Sequence, residues 1–185
     1  MEMPRGSILA DPPVRLSGQQ LSEDDLKYIG EPLKQFGLST EKPVNRIFEA
    51  FAFPQLIQTV AVTIAPVAIP LLKAIGTVIL GEVAKRAVAK FQGEKEPHEF
   101  MMDFTVNGIQ ARVVAKSKDK RIIDDAMKGA YAKFDKSIEL MSKEKSPADV
   151  LGYGIELDEK SRELKIRKKT KRALLEYDEK SGTWV

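Results

Sequence analysis

The sequence predicts an α+β fold: a helical N-terminal half with a long apolar helix, a β-hairpin plus an amphipathic helix, and a small C-terminal antiparallel sheet. Three observations predict it. Residues 60–80 contain Lys73 as their only charged residue, Asn107-Gly108 joins two alternating runs, and Asp-Glu-Lys-Ser occurs twice, at 158–161 and 178–181. The expected segments are an extended arm (1–20), a helical segment (21–53), an apolar segment and helix (54–92), a hairpin–helix unit (99–142) and a C-terminal β-sheet (150–185).

The composition is typical of a folded chain, because 43% of the 185 residues are hydrophobic and 31% are charged. The 30 basic residues nearly balance the 27 acidic ones, so the net charge of +3 does not by itself indicate nucleic-acid binding. The lack of cysteine excludes disulfides, thiolate metal sites and a cysteine nucleophile. Residues 1–20 lack the apolar run of a cleaved signal peptide, so we expect a cytoplasmic or membrane-associated protein.

Two helices are expected in the N-terminal half. Residues 21–38 place Leu26, Ile29, Leu33 and Phe36 on one face after the N-cap residue Ser22. Gly30 and Pro32 predict a kink or break, and Gly37 predicts the end of this helix. A second, short amphipathic helix is expected at 44–53.

The apolar stretch at 60–80 has the length of a transmembrane span, but Pro66 and Pro70 interrupt it and Lys73 is costly in lipid. The sequence leaves three alternatives for what buries this stretch: lipid, a partner subunit or the chain's own core. From Leu71 to Phe91 the pattern becomes helical, with Lys85, Arg86 and Lys90 opposite the apolar stripe. The stripe comprises Leu72, Ile75, Ile79, Val83, Ala87 and Phe91.

The hairpin at 100–116 is fixed by Asn107-Gly108, the pair that a type I′ turn prefers. The two-residue turn sets Val106 opposite Ile109 and Asp103 opposite Arg112. A helix capped by Asp119 should follow at 120–142 and cover the apolar face of the hairpin. Its stripe comprises Ile123, Ala126, Met127, Ala130, Phe134, Ile138 and Met141.

The C-terminal residues predict two further hairpins. Strands at 153–157 and 163–167 flank the first Asp-Glu-Lys-Ser, and strands at 173–177 and 183–185 flank the second. We interpret the repeated tetrapeptide as the same turn chemistry used twice.

Few residues suggest catalysis. The single histidine, His98, is expected to be a solvated loop residue, and one histidine without cysteine cannot form a usual zinc site. The acidic pairs Asp24-Asp25 and Asp124-Asp125 are interpreted as charges near helix N-termini. Gly152-Tyr153-Gly154 is a glycine pair before a strand, not a phosphate loop. We therefore expect no catalytic, cofactor-binding or metal-binding residues; an enzyme with an unrecognised site is the second alternative.

The densest basic run is a candidate site for an anionic partner. Cationic side chains with aromatic residues nearby favour nucleic acid, although a charge run is more often a solvated face, and lipid headgroups or an acidic protein fit equally. This run comprises Lys165, Arg167, Lys168, Lys169, Lys171 and Arg172.

The order of elements from Leu71 to Ser142 resembles a known family. A helix with the basic end VAKRAVAKF, a charged linker, the hairpin FMMDFTVNGIQARVVAK and a capped helix follow one another. This order is similar to the effector-associated constant component domains of bacterial conflict systems. The resemblance implies a non-enzymatic adaptor in a multi-component system.

The expected function is that of a non-catalytic structural or adaptor subunit that docks by its apolar central helix into a membrane or onto neighbouring subunits, including copies of itself. A nucleic-acid-binding module is the first alternative. Lys85, Arg86 and Lys90 would mark the boundary of the docked region. The residues expected to make apolar contact are Val60, Val62, Ile64, Val67, Ile69, Leu71, Leu72, Ile75, Val78 and Ile79.

Overall fold

A mixed nine-stranded β-sheet carries helices on one of its faces in the computed structural model, which describes residues 11–41, 57–93 and 96–185. The strands lie in the order β2-β1-β3-β4-β5-β6-β7-β8-β9. They span Val14–Gln19 (β1), Leu38–Glu41 (β2), Gln58–Ile64 (β3), His98–Val106 (β4), Ile109–Ser117 (β5), Val150–Asp158 (β6), Glu163–Thr170 (β7), Leu174–Asp178 (β8) and Thr183–Trp184 (β9).

Each helical connection joins two strands that are consecutive in the chain and lie side by side in the sheet, parallel to each other. Helix α1 links β1 to β2, α2 and α3 link β3 to β4, and α4 and α5 link β5 to β6. Two parallel strands must be joined by a crossover connection, because the chain has to return to the starting end of the sheet. A helix is the usual crossover, since its backbone hydrogen bonds are made within the helix. The helices span Glu23–Gly30 (α1), Ile69–Val78 (α2), Ala84–Lys90 (α3), Lys120–Lys128 (α4) and Ala130–Ser142 (α5).

The predicted fold class is wrong, because strands occur throughout the described chain and form one mixed sheet. Residues 14–19 of the expected arm form β1, between β2 and β3. The C-terminal strands do not form a separate small sheet, since β6 pairs in parallel with β5 through Ala111↔Tyr153 and Val113↔Ile155. The short helix expected at 44–53 lies outside the described residues.

The long apolar helix of that prediction is also wrong. Its first part is β3, in which Val60, Val62 and Ile64 face the helices and are at most 2% exposed. Pro66 lies in the connection that follows, and Pro70 takes an early position of α2, where no intrahelical donor is lost. In the described part of the chain, no helix has the length and apolar content that crossing a membrane requires. The prediction that this segment is a long apolar helix inserted in a membrane is therefore wrong.

A π-helical turn joins α2 and α3 and keeps their apolar stripe on the core. Leu72 and Phe91 are both buried, although an uninterrupted α-helix would rotate the later residue by roughly 100° from the core direction over this length. The π-turn at Ile79–Val83 adds one residue to a turn and restores the phase. All six residues of the predicted stripe are buried.

The hairpin prediction is confirmed. Asn107 and Gly108 have φ of 51° and 77°, as a type I′ turn requires, and Val106 lies opposite Ile109. The following helix is broken at Gly129 into α4 and α5, but its whole predicted stripe is buried. The Phe134 ring meets Phe104 of the hairpin edge-to-face, with centroids 5.0 Å apart.

The predicted caps and turns are also present. Ser22 and Asp25 form a reciprocal capping box at the start of α1, and the Asp119 side chain accepts a hydrogen bond from the Arg121 N–H at α4. Asp158 accepts from the Lys160 N–H, and Asp178 from the Lys180 N–H, both at 3.0 Å. The two Asp-Glu-Lys-Ser segments therefore use the same turn chemistry.

Candidate functional site: a glycine-floored groove on the open sheet face

The sheet face opposite the helices is covered by none of the described elements. Along β4 and β5, residues alternate between buried side chains under the helices and more exposed side chains on this open face. One cross-strand row of the open face spans seven strands and includes five charged side chains, on β1, β4, β5, β7 and β8. The row runs Arg15, Thr63, Asp103, Arg112, Gly154, Arg167, Glu176.

Two glycines of β6, Gly152 and Gly154, form the floor of a groove on the open face. They are two residues apart in a strand, so both face the same side. Neither has a positive φ. At Gly154 an added Cβ would approach only the Glu156 side chain, with the carboxylate oxygen at 2.9 Å, and that side chain can move. Backbone conformation therefore does not require glycine at position 154, whereas at Gly152 an added Cβ would lie 3.2 Å from the Gln110 carbonyl oxygen. Glycine inside a strand often marks a bulge or a site where a ligand or another backbone approaches closely.

Two exposed leucines border the groove. A β-bulge between Val150 and Gly152 places Leu151 at the rim, where it is 55% exposed. Leu174 lies in the row of Gly152 and Lys169 and is 65% exposed. Bulges re-aim side chains next to functional sites, and here the bulge leaves an apolar side chain in solvent. The adjoining depressions measure about 210 Å³ and 560 Å³, and Leu151 and Arg112 line both.

Arginines flank Gly154 on both sides, and carboxylates balance the charge of each. Arg112 of β5 makes two hydrogen bonds to Asp103, at 2.5 and 2.8 Å. Arg167 of β7 binds Glu156 at 2.8 Å and Glu176 at 3.2 Å. The hydrogen bonds that the two arginines donate to these carboxylates raise the pKa of both guanidinium groups, so both stay charged. The groove lining contains three cations, including Lys169, and one carboxylate, that of Glu156.

The residues expected to dock by apolar contact lie mostly in the chain's own core. Val60, Val62, Ile64, Leu72, Ile75 and Ile79 are at most 2% exposed, and Val67, Ile69 and Val78 pack against that core. Only Leu71 is substantially exposed, at 41%. The helical layer and the sheet together supply the cover that the sequence suggested was lacking, so the six fully buried side chains are inaccessible to a partner in the folded chain.

The basic residues expected at the boundary of a docked region hold α1 against α3 instead. Arg86 donates to the Tyr28 carbonyl at 2.9 Å, and its guanidinium lies 4.8 Å from the Tyr28 ring centroid. Lys90 binds Asp25 at 2.8 Å, and hydrogen bonding to Lys90 lowers the pKa of that carboxyl. Lys85 is exposed on α3.

The C-terminal basic run is divided between the two faces of β7. Lys165, Arg167 and Lys169 alternate onto the open face, whereas Lys168 points to the helices and its side chain is 12% exposed. Lys171 lies 3.8 Å from Asp149, and Arg172 follows in the turn. The run is therefore not one continuous cationic surface.

Lys168 belongs to a cluster that fastens the C-terminal strands to the rest of the fold. Lys168 and the Tyr153 hydroxyl both donate to Glu144 at 3.0 Å, and the Lys168 ammonium lies 4.5 Å from the Trp184 ring centroid. Burial opposes ionisation of Glu144, but these hydrogen bonds outweigh burial and lower its pKa. Burial, then the Glu144 carboxylate, raises the pKa of Tyr153.

The solvated-loop interpretation of His98 is wrong. His98 is the first residue of β4, points towards the helices and is 1% exposed. Its ring stacks on Phe91 with centroids 5.1 Å apart, and its Nε2 lies 3.0 Å from the Gly93 carbonyl oxygen. Its Nδ1 is buried and has no hydrogen-bond partner among the described residues. Strand alternation explains the burial, because His98 and Phe100 share a face.

The acidic pairs are bound by nearby lysines. Asp24 binds Lys27 at 3.3 Å in the first turn of α1. Asp124 and Asp125 lie inside α4 rather than at its start, and both approach Lys128, at 3.8 and 2.8 Å. Within the described ranges, no three His, Asp or Glu side chains converge in an arrangement that could hold a metal ion.

No family model, curated protein or solved structure matches this chain. The resemblance to the effector-associated constant component domains therefore stays a prediction.

The glycine pair is visible in the sequence, but it was predicted to lie before a strand. The groove was therefore not predicted. The signal available was the spacing of two between Gly152 and Gly154, which puts both on one face once the strand is extended to include them. The opposing Arg112 and Arg167 could not be found this way, because their position beside Gly154 depends on the parallel pairing of β5 with β6.

Proposed function

We propose that this chain is a non-catalytic adaptor that binds an extended segment of a partner protein in the groove above β6. The observation that carries the proposal is Gly154, a glycine on an exposed strand face that neither its φ nor a rigid neighbour requires. Glycine inside a strand lowers stability, whereas it allows another backbone to approach closely. The apolar rim formed by Leu151 and Leu174 supports the same role.

The charged side chains nearby favour binding over acid–base chemistry. Asp103 binds Arg112 through two hydrogen bonds, and Glu156 binds Arg167. Such pairs orient guanidinium groups for recognition. The adaptor role implied by the family resemblance agrees with this proposal.

Filling the groove tests the proposal. Peptides of about ten residues, the length of an extended recognition segment, are selected from a random displayed library on the purified chain, and their affinities are then measured by fluorescence anisotropy. Gly154→Val should weaken their binding at least tenfold. Its melting temperature should be unchanged or higher, because valine favours strands and glycine does not.

Ala61→Val is the matched control, since it adds bulk to the same open face on β3, three strands away. It should leave peptide affinity unchanged. Equal binding by Gly154→Val and the unmodified chain would contradict the proposal, and so would a library that yields no binder.

A further inference from the structure

We infer that the segment bound above β6 carries a carboxylate beside an apolar side chain, and that this carboxylate takes the place that Glu156 now holds next to Arg167. This inference rests on the proposed function and adds the chemistry of the occupant. Its basis is the arrangement of hydrogen-bond donors around Gly154.

Both arginines beside the groove keep donors for an incoming acid. Arg112 uses Nε and Nη2 for Asp103, which leaves Nη1 without a partner among the described residues. Arg167 donates from Nη1 to Glu156 and from Nε to Glu176, so its Nη2 also has no partner among the described residues. The hydrogen bonds to Asp103 and Glu176, which do not involve Glu156, hold the two guanidinium groups in position, so less side-chain freedom is lost when a ligand binds.

Lys169 adds a cation that has no ion-pair partner within the described part of the chain. It lies on β7 between Gly152 of β6 and Leu174 of β8, so its side chain borders the groove beside an exposed leucine. A carboxylate above Gly152 or Gly154 would therefore lie close to Lys169, and an adjacent apolar side chain could contact Leu151 or Leu174. Because Asp103, Glu156 and Glu176 balance the two arginines, the preference for an acidic group over a basic one rests on Lys169 and applies next to its ammonium.

Glu156 shows where the ligand's carboxylate would bind. Its oxygen lies 2.9 Å from the position that a Cβ on Gly154 would occupy, directly above the groove floor, while it accepts from Arg167. The side chain of Glu156 is 47% exposed, so it can rotate into solvent without breaking packed contacts. A ligand acid and Glu156 would repel each other at this place, so binding requires Glu156 to leave.

The test uses two synthetic extended peptides that contain leucine and serine and differ only in carrying glutamate or glutamine at the same positions. Fluorescence anisotropy should show at least tenfold tighter binding of the glutamate peptide, because hydrogen bonds to an ionised acceptor are the stronger kind. Lys169→Gln should weaken that binding about fivefold and leave the glutamine peptide unaffected. Glu156→Gln should strengthen it at least threefold.

Glu163→Gln is the control for net charge, since Glu163 lies at the far end of β7 on the same face. It should change neither affinity. Equal binding of both peptides, with loss of both in Gly154→Val, would overturn this inference and leave the proposed function standing. Binding of neither peptide would overturn the inference, and the peptide library would decide the proposed function separately. Tighter binding of oligothymidylate than of the glutamate peptide would make nucleic acid the occupant and overturn the inference.

Discussion

Replacing Gly76 with alanine should destabilise the fold although it improves the helix. Gly76 lies in α2 where it crosses Phe134 of α5, and a Cβ added there would come within 3.0 Å of two carbons of that ring. To reach ordinary contact distance, the ring would have to move by about 1 Å. Phe134 is fully buried and meets Phe104 edge-to-face, so it has nowhere to move without disturbing the sheet.

The expected magnitude follows from two opposing effects. Alanine is favoured over glycine inside a helix by about 1 kcal/mol. Overpacking a closed core costs about 1–3 kcal/mol, and the closeness of the ring at Gly76 favours the upper end. We therefore expect Gly76→Ala to lower the free energy of unfolding by about 2 kcal/mol.

Gly81→Ala is the matched comparison within the same helical stretch. Gly81 is exposed, and an added Cβ there would meet no atom of the described residues within 4 Å. This variant should be as stable as the unmodified chain or more stable, by up to about 1 kcal/mol. Urea unfolding with an unchanged m value would give both differences. If the two variants were equally stable, the packing of Phe134 against α2 would be refuted.

Three further predictions concern the buried histidine, a helix cap and an ion pair. His98→Ala should lower the free energy of unfolding by at least about 2 kcal/mol in thermal denaturation. His98→Phe should lie within about 1 kcal/mol of the unmodified chain, because phenylalanine keeps the stacked ring and removes Nδ1, which has no partner among the described residues, and this offsets the lost contact of Nε2 with the Gly93 carbonyl. Equal losses would contradict this. Ser22→Ala should cost about 1 kcal/mol in urea unfolding through loss of the capping box, and Ser22→Gly only a few tenths; no loss with alanine would argue against the cap. Since the folded chain lowers the pKa of Glu144 from its ordinary 4.5, that ion pair with Lys168 stabilises the fold above pH 4.5 and is lost as pH falls through the folded-state value. Glu144→Gln should therefore lose less stability on acidification than the unmodified chain in a pH series of urea unfolding curves, and parallel pH profiles would exclude this role.

Local patterns predicted the individual elements well where two kinds of signal agreed. The hairpin followed from a turn pair and strict alternation, and α1 followed from a cap and an apolar face. The stripe of α4 and α5 was recognised even though Gly129 divides the helix. Each of these signals acts over a few residues, so no knowledge of the rest of the fold was needed.

The candidate groove could be predicted only in part. The spacing of Gly152 and Gly154 and the alternation of Lys165, Arg167 and Lys169 follow from the sequence once the strands are known. The bulge that exposes Leu151 and the position of Arg112 beside Gly154 do not, because both depend on how β6 pairs with its neighbours.

The sequence by itself determined the type I′ hairpin and its register, the caps of α1 and α4, and the repeated aspartate turns, since these rest on contacts between residues close in the chain. It also determined the apolar stripes, because their spacing is visible within a few helical turns. Only the tertiary structure decided that Val60–Ile64 is a strand, because an apolar run without polar interruptions has no period to read. That strand pairs in parallel with β4, about 40 residues later. The same long-range pairing joined the C-terminal strands to the main sheet, buried the segment that had suggested docking, and left the opposite face of the sheet to form the groove.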